Sequence, residues 1–170
     1  MKILSLMVLG LSLVSVAQAK DAKFEDFVGK YEAQRSEQSF RCEGTMEIKL
    51  NKKCNGITQI TIKENGQKIV HEFCKGTKTK TEKESAGHGI VGSIDRTKIK
   101  TDIEGNVITQ TETVTSISIF GSIKLGPYIN RLTLNGDGSV TDEFLSSSLS
   151  EAGENEDGTS LQSKCIYQKQ

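Results

Sequence analysis

The chain is predicted to be all-β: an antiparallel meander of about 8–10 strands closing into a barrel, with a short N-terminal helix and two disulfides. Three observations carry this. Thr, Ile, Val and Lys alternate with period two through most of the sequence, which puts successive side chains on opposite faces of a strand. Glycine-containing turns, Asn65-Gly66, Gly105-Asn106 and Asn135-Gly136-Asp137-Gly138, separate the alternating runs. Four cysteines, Cys42, Cys54, Cys74 and Cys165, follow a segment with the marks of an export signal.

That segment comes first in the chain. Lys2, an apolar run over 3–16 and the small-x-small site Ala17-Gln18-Ala19 form the pattern of a secretory signal peptide, so 1–19 is assigned to the signal and 20–170 to a single β-barrel domain. Export to the periplasm or the exterior gives the cysteines an oxidising compartment. The remaining length of about 150 residues suits one domain that buries about 68–70% of its unfolded surface. No later run is long and apolar enough for a membrane-spanning helix, and no membrane insertion is expected. A transmembrane barrel is disfavoured as well, because polar or charged residues occupy both faces of most strands and aromatic girdles are lacking. Basic and acidic residues balance at 22 each, so no net field draws in nucleic acid. The absence of Trp speaks against a carbohydrate lectin, whose sugars stack on aromatic faces.

Phe24, Phe27, Val28 and Tyr31 fall at i, i+3, i+4 and i+7, which predicts a short helix with Asp21 as N-cap and Gly29 as stop. Strands are expected near 30–35, 42–50 and 160–168. Between them, Asn65-Gly66 is read as a two-residue type I′ turn in a hairpin over 57–74. That turn pairs Ile62 with Ile69, Ile60 with His71 and Ile57 with Cys74, so the inward face carries Ile60, Ile62, Ile69, His71 and Phe73. Further hairpins join 96–104 to 107–119 and 128–134 to 139–147. Two polar stretches, 75–89 and 150–159, read as long exposed connections.

The same register brings Cys74 to the end of the hairpin that Cys54 enters. Cys42 lies one strand length from Cys54, too far for the roughly 4.4–6.8 Å that a disulfide allows between Cα atoms. The expected bridges are therefore Cys54–Cys74 and Cys42–Cys165, the second tying an early strand to the last one in a sheet that closes on itself.

A short amphipathic helix, Gly29-Lys30-Tyr31 opening the first strand, and an antiparallel meander together resemble the lipocalin-like (calycin) barrels. In that family the triplet is Gly-x-Trp and closes one end of the barrel; here Tyr31 replaces the Trp. Thr101-Asp102 resembles the family's Thr-Asp motif, and Arg131 stands where its arginine could be sought. The resemblance implies a cup-shaped barrel holding a small apolar ligand, although one fold hosts many roles.

No catalytic motif is present. His71-Glu72 is followed by Phe73-Cys74-Lys75 and not by a second histidine, so a zinc site is unsupported, and His88 between Gly87 and Gly89 reads as loop. Asn135-Gly136-Asp137-Gly138 resembles the middle of an EF-hand loop, but Thr133 and Phe144 occupy the first and last ligand positions, so it reads as a hairpin turn. Gln110 and Glu112 share a face with Ile108 and Val114 and are expected at an exposed sheet rim. His71 is either a polar anchor in a cavity or, the commoner case, a core histidine satisfied by neighbours.

Two function classes follow, neither an enzyme and neither needing a cofactor or metal. One is an exported barrel holding a small apolar ligand against Ile60, Ile62, Ile69, His71 and Phe73. The other is a non-catalytic structural or protein-interaction module with a filled core, acting through the 75–89 loop on a partner the sequence does not specify. Interior volume separates them, since small-molecule sites occupy roughly 300–1,000 Å³.

Overall fold

In a computed structural model the chain forms one sheet of ten antiparallel strands that nearly closes into a barrel. The structure describes residues 21–34, 42, 44–83, 94–118, 120–147 and 159–170. The expected signal over 1–19, His88, and most of the 150–159 connection lie outside the described residues.

The strands are β1 (Gly29–Ala33), β2 (Thr45–Asn51), β3 (Gly56–Ile62), β4 (Lys68–Cys74), β5 (Gly76–Lys83), β6 (Ile94–Glu104), β7 (Val107–Ser118), β8 (Gly121–Leu134), β9 (Val140–Ser146) and β10 (Ser160–Lys169). Their order in the sheet is β4-β3-β2-β1-β10-β9-β8-β7-β6-β5. The first and last strands of the chain are therefore neighbours, and the two edges, β4 and β5, are consecutive in sequence with only Lys75 between them. Gln110 of β7 links the two sides of this seam: its Nε2 donates to the Glu72 carbonyl of β4 at 2.7 Å and to the Thr101 hydroxyl of β6 at 3.2 Å.

The closed end is built by the N-terminal segment. The expected helix over 24–31 is a single 3-10 turn, Phe24–Phe27, with Lys23 and not Asp21 at its N-cap. Gly29 does not stop a helix; it opens β1, whose pairing with both β2 and β10 claims the backbone that further helical turns would need. Three residues per turn place Phe24 and Phe27 on the same side, where both are buried. Tyr31 is completely buried above them and donates its hydroxyl to the Phe27 carbonyl at 2.7 Å. The apolar layer that follows includes Met46, Ile48, Ile57, Phe73, Ile108 and Leu132.

The β3–β4 hairpin departs from the expected register by one residue. Gly66 alone in the turn takes a positive φ, +79°; its N–H donates to the Lys63 carbonyl at 2.9 Å, and the Lys63 N–H donates to the Gln67 carbonyl at 2.9 Å. This is a type I turn closed by a left-handed glycine, a three-residue loop in place of the two-residue one. Ile57 consequently pairs with Phe73, Gln59 with His71 and Thr61 with Ile69. Because a one-residue shift exchanges the faces of a strand, Gln59 and Thr61 turn inward, while Ile60 and Ile62 face outward opposite Val70 and Lys68.

Both bridges join the cysteines the sequence pairs: Cys42–Cys165, with Cα atoms 5.3 Å apart, and Cys54–Cys74, 5.1 Å apart. The polar stretch 75–89 is not simply a connection, for Gly76–Lys83 is strand β5. It is exposed over 76–82, and its alternation of Lys with Thr suits an edge that must not recruit other chains. The sole proline, Pro127, stands with Gly126 opposite Thr113 at a bulge of the β7–β8 ladder, where a missing N–H is tolerated.

Candidate functional site

Above the apolar layer the barrel is open inside. A cavity of about 730 Å³ is lined from β3, β4, β7, β8, β9 and β10. Residues Gln59, Thr61 and Lys63 come from the inward face of β3 and its turn, and Ile69 and His71 from β4. Across the barrel, Glu112, Tyr128, Asn130, Asp142, Phe144 and Ser163 complete the wall, with Tyr167 and Cys165 of β10 beside them. One disulfide sulfur therefore belongs to the residue set that shapes the cavity.

Strand alternation explains which side chains arrive there. On β9, Val140 is fully buried in the apolar layer, and Asp142 and Phe144 follow it on the same face toward the mouth. On β10, Tyr167, Cys165 and Ser163 do the same in the opposite direction. Val140 pairs with Tyr167 and Asp142 with Cys165, which sets the levels of the two strands.

Asp142 is the electrostatic centre of the site. Gln59 donates its Nε2 hydrogen to Asp142 Oδ2 at 2.6 Å, reaching across the interior from β3 to β9. Burial raises the carboxyl group above its ordinary range, against the lowering effects of the Gln59 hydrogen bond and of His71. Tyr167 responds in turn: burial first, then the Asp142 charge, push its hydroxyl up to about 12. A carboxyl group so placed, with one side on the cavity, can accept hydrogen bonds or pair with a cation. No nucleophile, metal cluster or cofactor cradle accompanies it among the described residues.

Of the residues expected to line the interior, Ile69 and His71 do so, and Phe73 lies beneath the cavity in the apolar layer. Ile60 and Ile62 do not, because of the register shift. Gln110 and Glu112 are not at an exposed rim: Gln110 is buried at the seam, and Glu112 lines the cavity. Asn130, Asp142, Phe144 and Tyr167 sit on the adjacent strands β8, β9 and β10, and they face Gln59 and His71 only because the sheet curls to bring β3 and β4 across from them.

The other candidates have structural roles. Thr101 is buried and accepts from Gln110, whereas Asp102 is exposed beside Lys100. Arg131 stands outside the barrel, opposite Glu143 and 3.6 Å from it. The Asn135–Gly138 segment is a turn: Asp137 accepts from the Ser139 N–H at 2.9 Å and hydroxyl at 2.7 Å, and these bonds lower its carboxyl. No helix among the described residues is long and apolar enough to cross a membrane. Comparison of the chain with protein-family models, with curated proteins and with solved structures finds no match.

Proposed function

We propose that this chain is an exported calycin-like barrel that binds a small molecule in its interior, without catalysis. The cavity of about 730 Å³ carries this reading, because it falls within the roughly 300–1,000 Å³ of small-molecule sites. A core filled by its own side chains would leave no such space. The walls combine Ile69, Tyr128 and Phe144 with a few convergent polar groups, the mixture that holds an apolar body and orients a polar head. Export is supported by the signal pattern over 1–19 and by two disulfides, which persist in oxidising compartments.

Titration with the neutral apolar dye N-phenyl-1-naphthylamine tests the reading. One saturable site with enhanced fluorescence is expected. Thr61→Trp and Ser163→Trp, which fill the cavity from opposite walls, should abolish the signal while thermal unfolding stays cooperative. A wild-type protein that binds no dye, or a dye signal indifferent to both substitutions, would overturn the interior site.

A further inference from the structure

The inward side chains form layers, and their order is unusual. On β3 and β4, Gln59 and His71 follow apolar Ile57 and Phe73, and Thr61 and Ile69 come next toward the mouth; on β8 and β9, Asp142 pairs with apolar Leu132 and Phe144 with Asn130, and Tyr128 lies beyond them. Gln59, His71 and Asp142 thus lie nearest the apolar layer, and Ile69, Phe144 and Tyr128 nearer the mouth. An amphiphile that matches this order enters head first, with its apolar body against Ile69, Tyr128 and Phe144.

Which head fits is decided by charge. Lys63, at the β3–β4 turn, and Glu112, on β7 opposite Tyr128, also line the cavity, nearer its mouth. Asp142 lies deeper, with Gln59 and His71 acting on its carboxyl. Among the described residues its one hydrogen-bond partner is Gln59, on Oδ2; the remaining lone pairs of the carboxylate border the cavity. His71, Tyr167 and Tyr128 are the other titratable groups that face this region. An ionised carboxylate only accepts hydrogen bonds, and a charge deep in a protein is satisfied by an opposite charge. The rings of Tyr128, Phe144 and Tyr167 add faces that attract cations.

We propose that the cavity takes an organic ammonium ion, an amine-headed amphiphile whose N–H groups meet Asp142 at the inner end. This rests on the reading of the barrel as a small-molecule carrier and names the ligand's chemical class.

Calorimetric titration with three probes of equal chain length, n-octylammonium, 1-octanol and octanoate, tests it near neutral pH. The ammonium should bind about tenfold tighter than the alcohol, because hydrogen bonds to charged groups are the stronger kind. Octanoate should bind most weakly. In Asp142→Asn the ammonium and the alcohol should bind alike. Equal or better binding of the alcohol or of octanoate to the wild type overturns the assignment, the latter pointing to Lys63 and His71 as an anion site. Should Asp142→Asn fail to fold, the wild-type pH series decides: acid protonates Asp142, so affinity for octylammonium must fall relative to octanol, and a constant ratio overturns the proposal. Dye binding without an ammonium preference removes this inference alone, whereas the absence of dye and of all three probes removes the interior site itself.

Discussion

Gln59 and Asp142, 83 residues apart in sequence, meet at 2.6 Å inside the barrel, an amide on β3 donating to a carboxylate on β9. The contact joins two strands across the interior through polar side chains above the apolar layer. It also has a pH signature. Because burial raises the Asp142 carboxyl, the folded state binds its proton more tightly than the unfolded chain, whose reference value is 3.8. Stability referable to this group is therefore full below that value and is lost as pH rises through the higher folded value. Asp142→Asn keeps an acceptor for Gln59 but cannot ionise. Thermal melts across a pH series should show the variant gaining on the wild type from about pH 4 upward, and a difference that stays constant with pH would refute the assignment.

His71 lines the cavity, and among the described residues it makes no hydrogen bond. Replacing it with leucine of similar volume should leave unfolding within about 1 kcal/mol of the wild type while weakening a polar-headed ligand. A loss of about 1–3 kcal/mol without any change in binding would mean that protein groups depended on the imidazole.

Phe73 is 1% exposed in the apolar layer, and Val70, on the same strand but the other face, is 58% exposed. Phe73→Ala should cost about 3–5 kcal/mol in urea unfolding, and Val70→Thr about 0.5 kcal/mol. Equal costs would place a second layer of protein over the outer face of β4.

The two bridges close loops of very different length, with sequence separations of 123 for Cys42–Cys165 and 20 for Cys54–Cys74. The chain-entropy account gives about 5 kcal/mol for the first and about 3 kcal/mol for the second. Paired Cys→Ala variants should reproduce that order in denaturant unfolding. Reversal of the order would show that the unfolded chain is already constrained between β2 and β10.

Gly66 and Gly126 both have positive φ, but their surroundings differ. A Cβ at Gly66 meets nothing, while at Gly126 it would come within 2.9 Å of the Glu112 carbonyl. Gly66→Ala should cost about 1–2 kcal/mol for the left-handed backbone alone. Gly126→Ala should cost more, and it should also lower dye affinity, because Glu112 lines the cavity. A loss of stability at position 126 with binding unaltered would show that the bulge does not position the wall.

The general architecture is legible in the sequence because it depends on local signals. Alternation marks strands such as 107–118, turn glycines mark the hairpins, and the cysteine spacing on strands leaves one sensible pairing. What fails locally fails for identifiable reasons. Asn65-Gly66 fits two turn geometries that differ by one residue, and that residue decides whether Ile60 or Gln59 faces in. Apolar β-branched residues argue for Ile60 and Ile62 as the interior face when the interior is assumed to be dry. The barrel instead places Gln59 and Thr61 there, where the Gln59 amide is satisfied by Asp142 and Thr61. β5 gives no alternation of apolar with polar residues because both of its faces are exposed over 76–82. Asp142 reads as one more polar residue between Thr141 and Glu143, and only the approach of β3 reveals its role.

The strand order has a mechanical consequence. Taken as a ring, the wall lacks a main-chain link between β1 and β10 and a backbone ladder between β4 and β5, and these are different places. At the first, the ladder between β1 and β10 holds the ring, helped by the Gln170 N–H on the Lys30 carbonyl at 2.9 Å. At the second, the peptide link through Lys75 holds it. The Cys42–Cys165 bridge also ties the first joint and the Gln110 bond to the Glu72 carbonyl the second, so each joint keeps one covalent and one hydrogen-bonded fastening. The seam is pinned at the level of Lys75, so any widening is greatest at its far end, where β4 begins and β5 ends.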